Sequence, residues 1–293
     1  MTNLQFNIKN ELKFIDHFHK IDNPIAVVSN KRDHDIRKDL MNIATDARQF
    51  GIAKRCVKSN ISKWENVDVK NMVNFYRVHG LKDATIINYV SSLRSFLHET
   101  GRTNITASNY ELGLKRIIEY KDKSLSAKGV DINEKLQYFK EKDVNVYTQL
   151  KLASISGLRR EEAIHAGLAI FKGYDIVKDN KLILKGSWCK NGRAREIALS
   201  DEKIKEIKEL QKYVMNNKYR MDRNLKQEKK HLSNSIERAG FNMHAVRHSV
   251  AQETYTELKN EGFTEKEAKT AVSQELGHGA GRSDITNIYL CKK

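Results

Sequence analysis

The stretch 275–289 reads ELGHGAGRSDITNIY, and it sets His278 and Tyr289 eleven residues apart, with only Leu290, Cys291, Lys292 and Lys293 following the tyrosine. Chain ends usually fray, so a residue placed there is normally expendable. Here a glycine-flanked histidine and a tyrosine with ordered surroundings occupy that edge, and they acquire meaning from three clusters further upstream.

The first of these is SGLRREEA at 156–163, where Arg159 and Glu162 stand three residues apart. That spacing predicts a shared helix face on which the carboxylate orients the guanidinium, although an isolated pair of this kind resembles any exposed ion pair. The second is FNMHAVRHSVAQE at 241–253, in which His244 and Arg247 repeat the spacing. His248 follows His244 by four, as a helical zinc pair would, yet Ala245 stands where a metalloprotease places glutamate and no further ligand set follows, so metal ligation is not expected. The third is KGSWCKNGRAREIAL at 185–199. Lys190 precedes an Asn-Gly pair there, which predicts an amine presented at the tip of a hairpin.

Two arginines, a lysine, two histidines and a tyrosine suit attack on a phosphodiester. Guanidiniums can clamp the non-bridging oxygens and stabilise the charge of a pentavalent transition state. A tyrosine hydroxyl can attack, histidine can manage its proton, and lysine can protonate the departing oxygen.

In this order the four clusters resemble the tyrosine recombinases, the family that includes phage integrases and the Xer resolvases. GLRREE is similar to its first arginine box, KNGRAREIAL to its lysine hairpin, HAVRH to its His-x-x-Arg box and ELGHGAGRSDITNIY to its terminal tyrosine box. The resemblance implies a site made of Arg159, Glu162, Lys190, His244, Arg247, His278 and Tyr289. Tyr289 would form a 3′-phosphotyrosyl link and free a 5′-hydroxyl, whose attack on a partner strand's link completes exchange. Arg159 and Arg247 would hold the phosphate with His244 and His278 near its oxygens, Glu162 would support them, and Lys190 would be the general acid, with Lys185 as the alternative. Neither metal nor ATP is implied. The partners implied are duplex DNA with specific sites, further copies of the chain in a tetramer with one dimer per site, and accessory DNA-bending proteins; integration or excision of a mobile element is the task. A tyrosine that fires in one subunit and waits in another gains from a loosely tied segment, to which Gly279 and Gly281 lend mobility. The His278–Tyr289 gap exceeds the nine residues of many relatives, and the short tail sets the chain apart from relatives that dock a longer one on a neighbouring subunit.

The totals agree with a nucleic-acid partner. The 293-residue chain carries 53 Lys and Arg against 37 Asp and Glu, a net charge of +16. Residues 1–120 hold 19 basic and 13 acidic side chains and the remainder 34 and 24, so both halves are basic, as expected for a protein that meets a polyanion along its length. Cys56, Cys189 and Cys291 are far apart and odd in number, which predicts neither disulfides nor a zinc cluster but a reducing compartment. No apolar run is long enough to span a bilayer and no signal peptide is recognisable, so a cytoplasmic, nucleoid-associated place in a prokaryotic cell is expected.

With one proline and 15 glycines, the chain is expected to be mainly helical. DIRKDLMNIATDARQFG carries Ile36, Leu40, Ile43, Ala47 and Phe50 at helical spacing with Gly51 as cap. DVKNMVNFYRVHG starts at a candidate cap, Asp68, and DATIINYVSSLRSFLHETG buries Ile86, Val90, Leu93 and Leu97. A polar stretch at 119–129 is the linker candidate. Short strands are predicted in YDIVKDNKLILKG and REIALS, and then a helix capped by Ser200 with the stripe Ile204, Ile207, Leu210 and Val214. The expected architecture is α+β: a helical core-binding domain over 1–122 that clamps DNA, and a catalytic domain over 123–293 with a small antiparallel sheet. Two other readings compete with strand exchange, a type IB topoisomerase that relaxes DNA and a non-catalytic DNA-binding accessory protein.

Overall fold

The computed structural model describes residues 35–36, 38–46, 63–99, 101, 104–217, 219–279 and 282–291, with the backbone alone at 191 and 283. It divides into two compact units, Met1–Ile118 and Glu119–Lys293.

In the first unit the described elements are helices: α1 (38–46), α2 (Asn66–Val78) and α3 (Asp83–Glu99). Their apolar stripes meet in one core, with Leu40 and Ile43 of α1 against Val69, Met72 and Val73 of α2 and Ile86, Val90, Leu93 and Leu97 of α3. Asp68 is not the cap of its helix. The helix begins earlier, after Glu65, and Asp68 reaches back from its first turn to accept the Glu65 N–H at 2.8 Å. A carboxylate there also suits the positive end of the helix dipole. Ala47, Phe50 and Gly51 lie outside the described residues.

The second unit packs helices around a small sheet. The helices are α4 (Ile132–Lys142), α5 (Val144–Ser156), α6 (Arg160–Phe171), α7 (Asp201–Asn216), α8 (Leu225–Arg238), α9 (Met243–Asn260), α10 (Glu265–Glu275) and α11 (Ser283–Tyr289). The strands β1 (Val177–Lys178), β2 (Lys181–Leu184) and β3 (Arg195–Ala198) pair antiparallel in that order. Asp179 and Asn180 turn β1 into β2 with φ of 49° and 58°, a left-handed pair that these short polar residues tolerate. Leu182 pairs with Ile197 and Leu184 with Arg195, so the face that buries Leu182, Leu184 and Ile197 also turns Arg195 inward. α5 is buried on nearly every side and forms the centre of this core, while α7 is capped by Ser200 as its sequence predicts and buries Ile207, Leu210 and Val214. The 119–129 stretch is only in part a linker, since Ser124 and Leu125 are buried and the Leu125 N–H donates to Ser249 Oγ at 2.9 Å. No described helix is long and apolar enough to cross a membrane.

Candidate active site

α5 stops at Gly157, whose φ of 59° lies in the left-handed region, where glycine meets no steric cost. Arg159 then stands immediately before α6 with φ −71° and ψ 157°. Arg159 and Glu162 therefore do not share a helix face; the arginine is the residue before the helix. The carboxylate reaches back instead, accepting the Arg159 N–H at 2.8 Å and Nη1 at 2.9 Å.

Glu162 also receives Nη2 of Arg195 at 2.6 Å and is wholly buried. Burial alone would raise its carboxyl, but Arg195, the Arg159 N–H and the Arg159 guanidinium outweigh it and hold the group below its ordinary range. One carboxylate thus fixes two guanidiniums, and breaking such a buried pair on one side is costly. Arg195 further donates to the Glu275 carbonyl. Gly277, at φ 69°, is required beside it, because a Cβ there would lie 2.8 Å from Arg195 Cδ. The sequence does carry a signal for Arg195: the alternation of β3 places this charge on the same face as Ile197, and an inward-facing arginine demands a partner.

Arg247, on α9, is almost wholly buried. It donates through Nε to the Tyr289 hydroxyl at 3.2 Å and through Nη1 and Nη2 to the carbonyls of Gly157 and Leu276, and Nη2 also lies 3.3 Å from His278 Nε2. A guanidinium can only donate, so His278 Nε2 is an acceptor and its proton sits on Nδ1. Burial lowers Arg247 to about 10 against the opposing attraction of Tyr289, which leaves it cationic at neutral pH. Enclosure, then Arg247, Arg159 and Arg195, lower His278 to about 4. His244 is exposed at the mouth of the cleft, yet partial loss of hydration, then His248 and Arg247, lower it to about 4 as well. Both imidazoles are neutral near pH 7.

Tyr289 is not loosely tied. It closes α11, is only 6% exposed, and packs with Ala251, Val272 and Leu276. Its ring lies 4.6 Å from that of His248, 5.4 Å from that of His244 and 5.7 Å from that of His278, centroid to centroid. Gly279 takes a φ of 86°; Gly281 lies outside the described residues, as do Lys292 and Lys293.

Lys190 does not sit at the tip of a tight hairpin. The connection from Leu184 to Arg195 contains two short 3₁₀ turns, Gly186–Trp188 and Lys190–Gly192, and Lys190 stands exposed in the second. Lys185 falls just past β2 and lies over the rings of Tyr174 and Trp188 at 5.5 and 5.6 Å. A cleft of about 1000 Å³ is lined by Arg159, Lys190, His244, Arg247, His278 and Tyr289 together with Arg160, Arg193, Arg195 and Arg282, but not by Lys185. Glu162 lies behind it. The sequence-predicted residues therefore converge on one strongly cationic cavity, which suits an anion.

A fragment of the Tn1549 transposon integrase, solved in complex with transposon right end DNA, superposes on this chain with a TM-score of 0.53 and 14% identity, covering 99% of this chain and 94% of that one. The fold is that of the tyrosine recombinases. A second structure of the Tn1549 integrase, in complex with circular intermediate DNA, matches the same fold with a TM-score of 0.51, 18% identity and coverage of 99% and 95%. No protein family and no curated protein matches the chain by sequence. The tyrosine-recombinase fold is thus reached here at very low identity.

Proposed function

We propose that this protein cleaves and rejoins DNA at specific sites through a 3′-phosphotyrosyl intermediate, in the service of integrating or excising a mobile element. The observation that carries this reading is the Tyr289 hydroxyl, hydrogen-bonded to the buried Arg247 and opening on the arginine-lined cleft. Tyr289 Oη attacks the scissile phosphorus and the bond from phosphorus to the 5′-oxygen breaks. The phenolic proton passes to a neutral imidazole of the His244–His278 pair, and Lys190 supplies a proton to the leaving 5′-oxygen. Arg159 and Arg247 bear the charge that grows on the non-bridging oxygens, where fixed donors in an enclosed site act most strongly, and Glu162 holds Arg159 in place. The reverse sequence, with the 5′-hydroxyl of a partner strand attacking, restores the phosphodiester and the free tyrosine. Residues 123–293 carry this chemistry, and the basic helical region over 1–122 adds a DNA-clamping surface. The fold similarity to integrases solved with DNA supports the substrate class.

The test uses a nicked suicide substrate, which lets the 5′-fragment escape. Wild-type protein should become linked to the DNA 3′ end through Tyr289, and Tyr289→Phe should bind DNA and give no adduct. An adduct on Tyr255 would displace the assignment, and no adduct from the wild type would favour a non-catalytic DNA-binding role. Relaxation of plasmids that lack a defined site, without recombinant products, would favour topoisomerase action instead.

A further inference from the structure

Tyr289 ends α11, and carbonyls in the last turn of a helix need donors from outside it. Two arrive from α9. His248 Nδ1 and Gln252 Nε2 each stand 3.2 Å from the Tyr289 carbonyl oxygen, and Gln252 also donates to Asp122 Oδ1 at 3.1 Å. His248 is wholly buried, and its second nitrogen, Nε2, lies 3.2 Å from Nε2 of His244.

The protons follow from the chemistry of the partners. A carbonyl oxygen only accepts, so His248 Nδ1 carries a hydrogen. Burial holds His248 below its ordinary value, the carbonyl of Tyr289 and Asp122 pulling the other way and Lys123 and Arg247 assisting, so the ring is neutral and its Nε2 is bare. His244 Nε2 must then be the donor between the two rings. The basic atom left on His244 is Nδ1.

We infer that His248 is a positioning residue that ties the docking of the Tyr289 backbone to the tautomer of His244, an inference that rests on the reading of Tyr289 as the nucleophile. While α11 is docked, the carbonyl fixes the proton on His248 Nδ1, and His244 presents an unprotonated Nδ1. When α11 departs, that constraint is lifted and His244 is free to exchange tautomers. A site whose tyrosine is withdrawn then loses its defined histidine along with its nucleophile.

The experiment is nitrogen-15 NMR of the full chain labelled at histidine, read alongside cleavage. In the wild type His248 should carry its proton on Nδ1, the less common form of a free imidazole, and His244 on Nε2. Tyr289→Phe keeps the carbonyl and should leave both tautomers unchanged, although it removes the phenol. His248→Asn places an amide nitrogen near the Nδ1 position, so it retains the bond to the carbonyl but loses the contact with His244. In that variant His244 should no longer hold its proton on Nε2 alone, because the acceptor that fixed it is gone, and cleavage should slow roughly tenfold, the worth of one hydrogen bond of about 1.4 kcal/mol. His248 protonated on Nε2 in the wild type, or a His244 still protonated on Nε2 alone in His248→Asn, would overturn the inference. Should the variant fail to fold, the wild-type tautomers decide alone. Because tautomers are read without DNA, a wild type that never cleaves would reject the proposed function by a separate measurement.

Discussion

The arginine–histidine–tyrosine cluster and the β2–β3 loop contribute to one cleft by opposite means. Arg247 is 2% exposed and has bonds to Gly157, Leu276, His278 and Tyr289. Lys190 stands exposed on an irregular loop beyond β2. A guanidinium that bears transition-state charge must be oriented before the reaction, because reorientation would cost what the interaction gains. An ammonium that hands over a proton needs reach more than a fixed bearing, which a solvated loop supplies. Under the proposed function, the contrast teaches that the guanidiniums that would hold charge are fixed in advance, whereas the lysine that would donate a proton is not.

The largest effect that sharpens this contrast is expected for Arg247→Ala. It strips the buried carbonyls of Gly157 and Leu276 of a donor, at roughly 1–3 kcal/mol for each group left unsatisfied, and under the proposed function it also removes a phosphate clamp, so cleavage should fall by roughly 10²–10³-fold. Calorimetry and a suicide-substrate assay on the same sample check both halves. An Arg247→Ala protein as stable as wild type would mean that the cluster is not held as described.

Lys190→Ala should leave the melting temperature where it is and slow cleavage by roughly 10²-fold, the lower range for a lost general acid. A substrate with sulfur in place of the bridging 5′-oxygen, whose leaving group needs no proton, should recover most of the rate. Lys185→Ala removes an exposed ring contact worth about 0.5–1 kcal/mol of stability, and because Lys185 does not line the cleft it should change cleavage little. A thiol rescue seen with Lys185→Ala and not with Lys190→Ala would exchange the two assignments.

A further effect concerns pH. His244 and His278 are lowered from 6.5 to about 4 in the folded protein, so between those values the unfolded chain binds more protons than the folded one. Their contribution to stability is complete above about 6.5, declines as pH falls toward 4 and is lost below it. Thermal melts across this window should show the decline, and it should shrink in His278→Gln. A melting temperature that is flat from pH 7 to 4, in both proteins, would show that the cleft does not keep these rings neutral.

Much of this protein was legible in its sequence because the relevant signals are local. The stripe of Ile86, Val90, Leu93 and Leu97 repeats with the helix period and is buried as a unit, the cap at Ser200 needs only its own turn, and four ordered motifs named six of the residues that line the cleft. Other positions depend on partners distant in the chain. Arg195 owes its role to Glu162 and to the carbonyl of Glu275, both far from it in sequence, and His248 owes its tautomer to a carbonyl 41 residues later. The spacing of Arg159 from Glu162 fits a shared helix face, whereas α5 ends at the left-handed Gly157 and α6 begins only after Arg159.

The sequence by itself determined the helical stripes, the order of the motifs and the side chains available for chemistry, since each follows from residue type and short-range spacing. Only the tertiary structure decided that Tyr289 is buried and bonded rather than loose at the chain's end, because that outcome depends on α9 and α10 supplying an apolar seat and Arg247 a donor to its hydroxyl. Burial and proton position are set by what surrounds a group in space, and neither can be read from its neighbours along the chain.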